Sequence, residues 1–193
     1  MHKGRIEAFS DGVIAILITI MVLELKADHI DANFTALKPL MPVFLSYVLS
    51  FMYLGIYWSN HHHLFQTVQN VNGKILWANL HLLFWLSMIP FTTWWMGENN
   101  LSTATVALYG FVLFAAAMAY YVLVQLLITH HGKKSLLASA LGSDFKGKAS
   151  IIIYAVAIVL AFLNPIYSCA LYILVAIIWL VPDRRIEKVL ESR

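Results

Sequence analysis

The segment Arg5-Ile6-Glu7-Ala8-Phe9-Ser10-Asp11 runs without a break into Gly12-Val13-Ile14-Ala15-Ile16-Leu17-Ile18-Thr19-Ile20-Met21-Val22-Leu23, and the apolar stretch continues to Leu25. A membrane helix needs about 20 mainly apolar residues, so residues 6–25 read as a first span with two opposite charges and a serine at its mouth. Such placement is expensive. A charge well inside a span costs about 2.5–3.5 kcal/mol and is tolerated against a protein partner or a water-filled path. Function is therefore to be sought beside this helix.

The rest of the chain agrees with a membrane setting. Of its 193 residues 61% are hydrophobic and 12% charged, and the mean hydropathy is +0.75, which excludes an ordinary soluble enzyme. Cys169 is the single cysteine, so neither an intrachain disulfide nor a cysteine metal cluster can form. Basic residues ahead of the first apolar run resemble a signal peptide. No small-x-small cleavage site follows, and Glu24, Lys26 and Asp28 come directly after, so a retained first span is expected.

Apolar blocks fall at residues 6–25, 40–58, 75–96, 101–128, 149–163 and 166–181, which predicts six spans. The last two are short, and an alternative joins them through Asn164-Pro165 as one kinked helix, leaving five. Charge placement separates the two, because cytoplasmic loops collect Lys and Arg. With six spans and an internal N-terminus, Lys3, Arg5, Lys74, Lys133, Lys134, Lys146, Lys148, Arg184, Arg185, Lys188 and Arg193 lie inside, against Lys26 and Lys38 outside. Five spans would send the last four to the wrong side. The expectation is an all-α polytopic membrane protein with six transmembrane helices, both termini cytoplasmic, in the cell membrane. Lys146 and Lys148 can snorkel from a fifth helix slightly longer than its apolar block.

Connections are short and nothing resembles a linker or a soluble catalytic domain, so residues 1–193 read as a single helical bundle. The segment around Ser10 is not duplicated, so a symmetric pathway would need several copies of the chain. Ala115 and Ala119 have the spacing of a close helix contact, although lipid-facing small residues would look the same. Leu136, Leu137, Ala140 and Leu141 between basic clusters suggest a short surface helix within residues 135–145.

At about 100° per residue, Asp11 lies about 120° around the first helix from Arg5, so these charges need separate partners. Glu7 stands one turn before Asp11 on the same face, where like charges repel. Arg5 and Phe9 are spaced to stack. The second block ends with Trp58-Ser59-Asn60-His61-His62-His63, and the third carries Asn79 and His81 near its start. Asp11, His61 or His62, and Asn79 thus lie at matching depth, where a shared polar network spares each a lone polar group in hydrocarbon. The histidines read equally as interfacial residues in water, His63 above all.

Adjacent histidines point about 100° apart on a helix, whereas one-helix metal ligands favour a spacing of four, so no fixed metal site is expected. No nucleophile elbow, phosphate loop or dinucleotide motif occurs, so no enzyme activity, cofactor or nucleic-acid partner is expected either.

Beyond Asp11 the first helix presents Gly12, Ile16, Thr19, Ile20 and Leu23 along one stripe. Taken alone, such a stripe is more often packing or lipid contact. Here polar groups bracket it at both ends, and copies around an axis would stack polar, apolar and hydroxyl rings. Apolar constrictions can gate a pore by dewetting, and oxygens can replace an ion's water.

The pattern Arg5-x-x-x-Phe9-Ser10-Asp11 opening a six-span chain resembles the transmembrane protein 175 family of potassium channels. Trp58-x-x-His61-His62, Asn79 and Pro90-Phe91 are similar to that family's pattern, so the resemblance covers roughly the first half of the chain. Short prokaryotic members have one six-span repeat and assemble as tetramers, and this chain resembles those. The resemblance implies a potassium-selective channel in a lipid bilayer, its partners being potassium ions and further copies of itself. It implies a pore lined by the first helix, with an apolar constriction at Ile16, Ile20 and Leu23 and a hydroxyl layer at Thr19. Arg5, Phe9, Ser10 and Asp11, with Trp58 in the same network, would be structural, tying that helix to His61 or His62 and to Asn79. The competing expectation is a proton-coupled secondary transporter with Asp11, Glu24 and the histidines as its relay.

Overall fold

A computed structural model describes residues 3–26, 34–132, 135, 137–138 and 144–180. Helix dominates them. The first helix, α1, covers Gly4–Val22 and buries Ile6, Ser10, Ile14, Leu17 and Met21, spaced by three and four so that they share one face. The helix ends before the apolar run does. Leu23, Glu24 and Leu25 continue through bonds to Ile20, Met21 and Val22, each three residues back, which tightens the last turn.

A 3-10 segment, Phe34–Leu40, leads into α2, Met41–Gln66. The apolar block of α2 stops at Trp58, and the three histidines beyond mark the expected helix end. Nothing between Trp58 and Gln66 breaks a helix, and α2 carries His61, His62 and His63 as part of its regular body. Asn72 then caps α3, Gly73–Ser87, its side chain accepting from the Ile75 amide at 3.0 Å.

The third expected span is interrupted. Pro90 has no amide hydrogen to continue the ladder, and the chain turns at Met88 before α4, Ile89–Glu98. Thr92 and Thr93 turn their hydroxyls back to the Met88 and Ile89 carbonyls near this break. α5, Thr103–His131, is the central rod and packs on α3, α4, α6 and α7, where α6 is Phe145–Ala161 and α7 is Pro165–Leu180.

The last two helices form a hairpin, not one kinked rod. Ser168 donates to the Ala157 carbonyl at 2.7 Å and Trp179 to Ser150 at 2.8 Å, a pairing that places the two antiparallel. As expected from its lysines, α6 begins before its apolar block. Asp144 caps it by accepting from Gly147 at 3.2 Å. Ala115 and Ala119 are both buried, so they serve helix contact. Gly110 serves it further: a Cβ there would collide with the Tyr172 ring.

Helices Leu37–Gln66, Gly73–Glu98 and Thr103–His131 are long and apolar enough to cross a membrane, and Pro165–Leu180 is a shorter apolar helix. Long polar side chains inside this core find partners. Ser50 bonds Thr93 at 2.6 Å and Tyr109 at 2.9 Å, and Tyr53 donates to the Tyr172 carbonyl at 2.6 Å. The surface helix expected at residues 135–145 depends on residues 136 and 139–143, which lie outside the described residues. So do Asp28, Lys133, Lys134, Arg184, Arg185, Lys188 and Arg193.

Candidate functional site

α1 packs against α2, α3 and α4 and leaves its other side uncovered within the chain. Its buried face explains how the charged motif is accommodated. Ser10 is fully buried and accepts a hydrogen bond from Asn79 Nδ2 at 2.9 Å. The other atom of that amide, Oδ1, lies 2.8 Å from His61 Nε2. With the nitrogen donating to Ser10, the oxygen accepts, so His61 carries its hydrogen on Nε2. His61 and Asn79 are both buried, and the His61 ring stacks on Phe65 at 4.5 Å. α1, α2 and α3 are thereby joined by an unbroken line of bonds.

The line departs in one respect from the network expected from depth alone, and it separates the two histidines. Asn79 reaches Ser10 instead of Asp11, because Ser10 lies on the buried face of α1 and Asp11 is about 100° away. His62 stands outside the network and bonds Gln66 one turn along its own helix, at 2.7 Å. The choice between the two histidines thus falls on His61.

Asp11 takes its partner from Trp58, whose indole nitrogen donates to Oδ1 at 3.0 Å. Lys3, not anticipated as a contact, donates to the Phe65 carbonyl at 2.7 Å. An ammonium at that point meets the negative end of the α2 dipole. A cation just ahead of an apolar helix was the signal that could have flagged it. The Ser50–Thr93–Tyr109 chain was also missed, although polar residues at matching depth in neighbouring spans pointed to it.

Arg5 and Phe9 lie on the uncovered side. Their expected stack is not formed. Among the described residues the cation–ring pair is Lys146 with Trp179, 6.0 Å from the ring centroid. Above them on the same side stand Gly12, Ile16, Thr19, Ile20 and Leu23, with Ile16 57% and Leu23 68% exposed. The Thr19 hydroxyl reaches the carbonyls of Ile16 at 2.9 Å and Ala15 at 3.2 Å. Its hydrogen is held by the helix, so the oxygen's two lone pairs are what the group offers outward. No cluster of three metal-ligating side chains occurs among the described residues.

Comparison with known proteins gives a consistent answer. Residues 5–90, which hold Ser10, Asp11, Trp58, His61 and Asn79, match the family model described as endosomal/lysosomal potassium channel TMEM175. The chain is 53% identical over 192 residues to a potassium channel of Chryseobacterium sp. (strain P1-3), covering 100% of both. It is 36% identical over 129 residues to a potassium channel of Streptomyces collinus, covering 63% of each. Its fold is similar to the crystal structure of a lysosomal potassium-selective channel TMEM175 homolog from Chamaesiphon minutus, with a TM-score of 0.81 and 27% identity, over 94% of this chain and 97% of that one.

Proposed function

The chain belongs to the TMEM175 family of potassium channels, and from that premise we propose that it conducts potassium as a homotetramer whose four copies of α1 line the pore. The observation that carries this reading is the division of α1 into two faces. One is fixed to α2, α3 and α4 through Ser10, Asp11 and the buried aliphatic residues. The other, from Gly12 to Leu23, is uncovered in the single chain and awaits either lipid or copies of itself.

Around a fourfold axis, Ile16, Ile20 and Leu23 form apolar rings separated by about 6 and 4.5 Å at 1.5 Å per residue. Such rings close to water when narrow and hold ions back until they widen. Thr19 contributes a ring of oxygens between the apolar layers, with hydrogens turned back into the helix, a polarity suited to a cation. In this reading the six helical rods, counting α3 and α4 as one, cross the cell membrane with both termini cytoplasmic, following the Lys and Arg distribution. A proton relay along α1 is disfavoured, because residues 12–23 contain no titratable side chain. Glu24, at the far end, lies 3.9 Å from Lys26.

The test is current from purified protein in a planar bilayer under opposed potassium and sodium gradients. Discrete openings reversing near the potassium potential are expected, and Ile16→Asn and Leu23→Asn should each raise conductance by wetting a ring. Unchanged currents in both variants would remove the pore assignment.

A further inference from the structure

Away from α1, helices α2, α5, α6 and α7 line a partly open cavity that has no part in the proposed pore. Its solvent space is about 40 Å³, room for roughly three water-sized groups at about 10–15 Å³ each. The wall is aromatic, formed by Tyr53 and Tyr57 of α2, Tyr120 and Tyr121 of α5, Tyr154 of α6 and Trp179 of α7. Asn60 and Asp144 line it as well, at the end of the bundle that carries His61. A second hollow between α2 and α7 shares Ile56, Asn60 and Trp179 with the cavity and continues along Phe51, Met52 and Gly55.

Rings present negative faces, and a carboxylate and an amide oxygen add acceptors, so the cavity is complementary to a cation that carries hydrogen-bond donors. That complementarity is already in use at its edge, where Lys146 approaches the Trp179 ring. A primary ammonium brings three N–H donors to those acceptors, whereas a trimethylammonium group brings none. The adjoining hollow is lined mainly by apolar groups, with Ser59 and Asn60 among them, which suits a hydrocarbon tail and not a soluble amine.

We propose that the cavity and its side groove bind one phospholipid with a primary-ammonium headgroup. The ammonium enters the tyrosine cage toward Asp144 and Asn60, the phosphate stays beside Lys146, and an acyl chain lies along Phe51, Met52 and Gly55. This assignment rests on the membrane embedding of the proposed function and not on the pore.

Native mass spectrometry of the purified protein in detergent, titrated with phosphatidylethanolamine, phosphatidylcholine and phosphatidylglycerol of equal chain length, tests it without measuring current. Phosphatidylethanolamine should bind at one per chain, about tenfold more tightly than either competitor. Asp144→Asn should lower that preference, and Ala117→Leu, which fills the cavity from α5, should abolish it. Equal binding of phosphatidylethanolamine and phosphatidylcholine by the wild-type protein would overturn the proposal, whatever the variants do. So would full displacement by soluble O-phosphorylethanolamine at matched concentration, or an unchanged preference in both variants when they retain the wild-type melting curve.

Discussion

Asn79 donates to the Ser10 hydroxyl across 2.9 Å, and this bond ties the buried face of the first helix to the third. The same amide holds His61, so its two ends secure two neighbours. Ser10→Ala removes one of those bonds. That leaves one buried group, the Asn79 amide nitrogen, without its partner, at about 1–3 kcal/mol. Asn79→Leu instead leaves Ser10 and His61 buried without partners, at about 1–3 kcal/mol for each stranded group. Thermal unfolding in detergent should therefore show Asn79→Leu several degrees below Ser10→Ala. Equal melting temperatures would contradict the network.

Trp58 and Asp11 make a separate prediction, because their bond at 3.0 Å sits nearer the surface. Trp58→Phe keeps the ring and deletes the donor. Asp11→Asn keeps the accepting oxygen, whereas Asp11→Ala does not. If the contact is structural, Asp11→Asn assembles as the wild type does, while Asp11→Ala and Trp58→Phe each reduce the oligomer fraction on size-exclusion chromatography. Their double variant should lose little beyond the worse single one, since both delete the same bond. Additive losses would separate the two residues.

How much of this was legible beforehand follows from what each signal depends on. Charges at the mouth of an apolar run are unusual in any context, so Arg5 through Asp11 marked the first helix and its importance directly. Partner choice depends on how helices rotate against one another, which one helix's periodicity does not contain. That is why matching depth put Asp11 opposite Asn79, whereas Ser10, a residue of the same motif, makes the bond. The second helix runs three residues beyond His63, where the histidines suggested its end, because nothing before Gln66 breaks it. Pro90 gave a plain local reason for the break at Met88, yet hydropathy alone ran through it. The buried Ser50–Thr93–Tyr109 chain needed a pairing of α2, α4 and α5 that only the assembled bundle supplies.

Gly110 and Gly12 differ in the space around them and should respond oppositely to alanine. At Gly110 the new methyl would strike the Tyr172 ring, which is buried and whose hydroxyl donates to the Val106 carbonyl at 3.2 Å. Overpacking of that kind costs about 1–3 kcal/mol, more than the gain of up to about 1 kcal/mol from removing a helical glycine. Gly110→Ala should melt earlier. At Gly12 nothing lies within 4 Å, so only the helical gain applies within one chain. Circular dichroism melts of both variants under the same conditions check the contrast. A destabilised Gly12→Ala would point to close packing of that position between copies.

Thr19 carries the last prediction, because its hydroxyl is the polar group in the middle of an otherwise apolar stripe. The hydrogen is engaged by backbone carbonyls at 2.9 and 3.2 Å, leaving the oxygen to accept or to meet a cation. Thr19→Val keeps the shape and removes the oxygen, while Thr19→Ser keeps the oxygen and trims a methyl. If four such oxygens replace part of an ion's water, Thr19→Val should reduce the permeability ratio of potassium to sodium by roughly tenfold, equivalent to about 1.4 kcal/mol. Thr19→Ser should stay close to the wild type. Reversal potentials under bi-ionic conditions give both ratios directly. An intact ratio in Thr19→Val would leave discrimination to the apolar rings of Ile16, Ile20 and Leu23, where it must then arise from the cost of stripping water and not from any oxygen that replaces it.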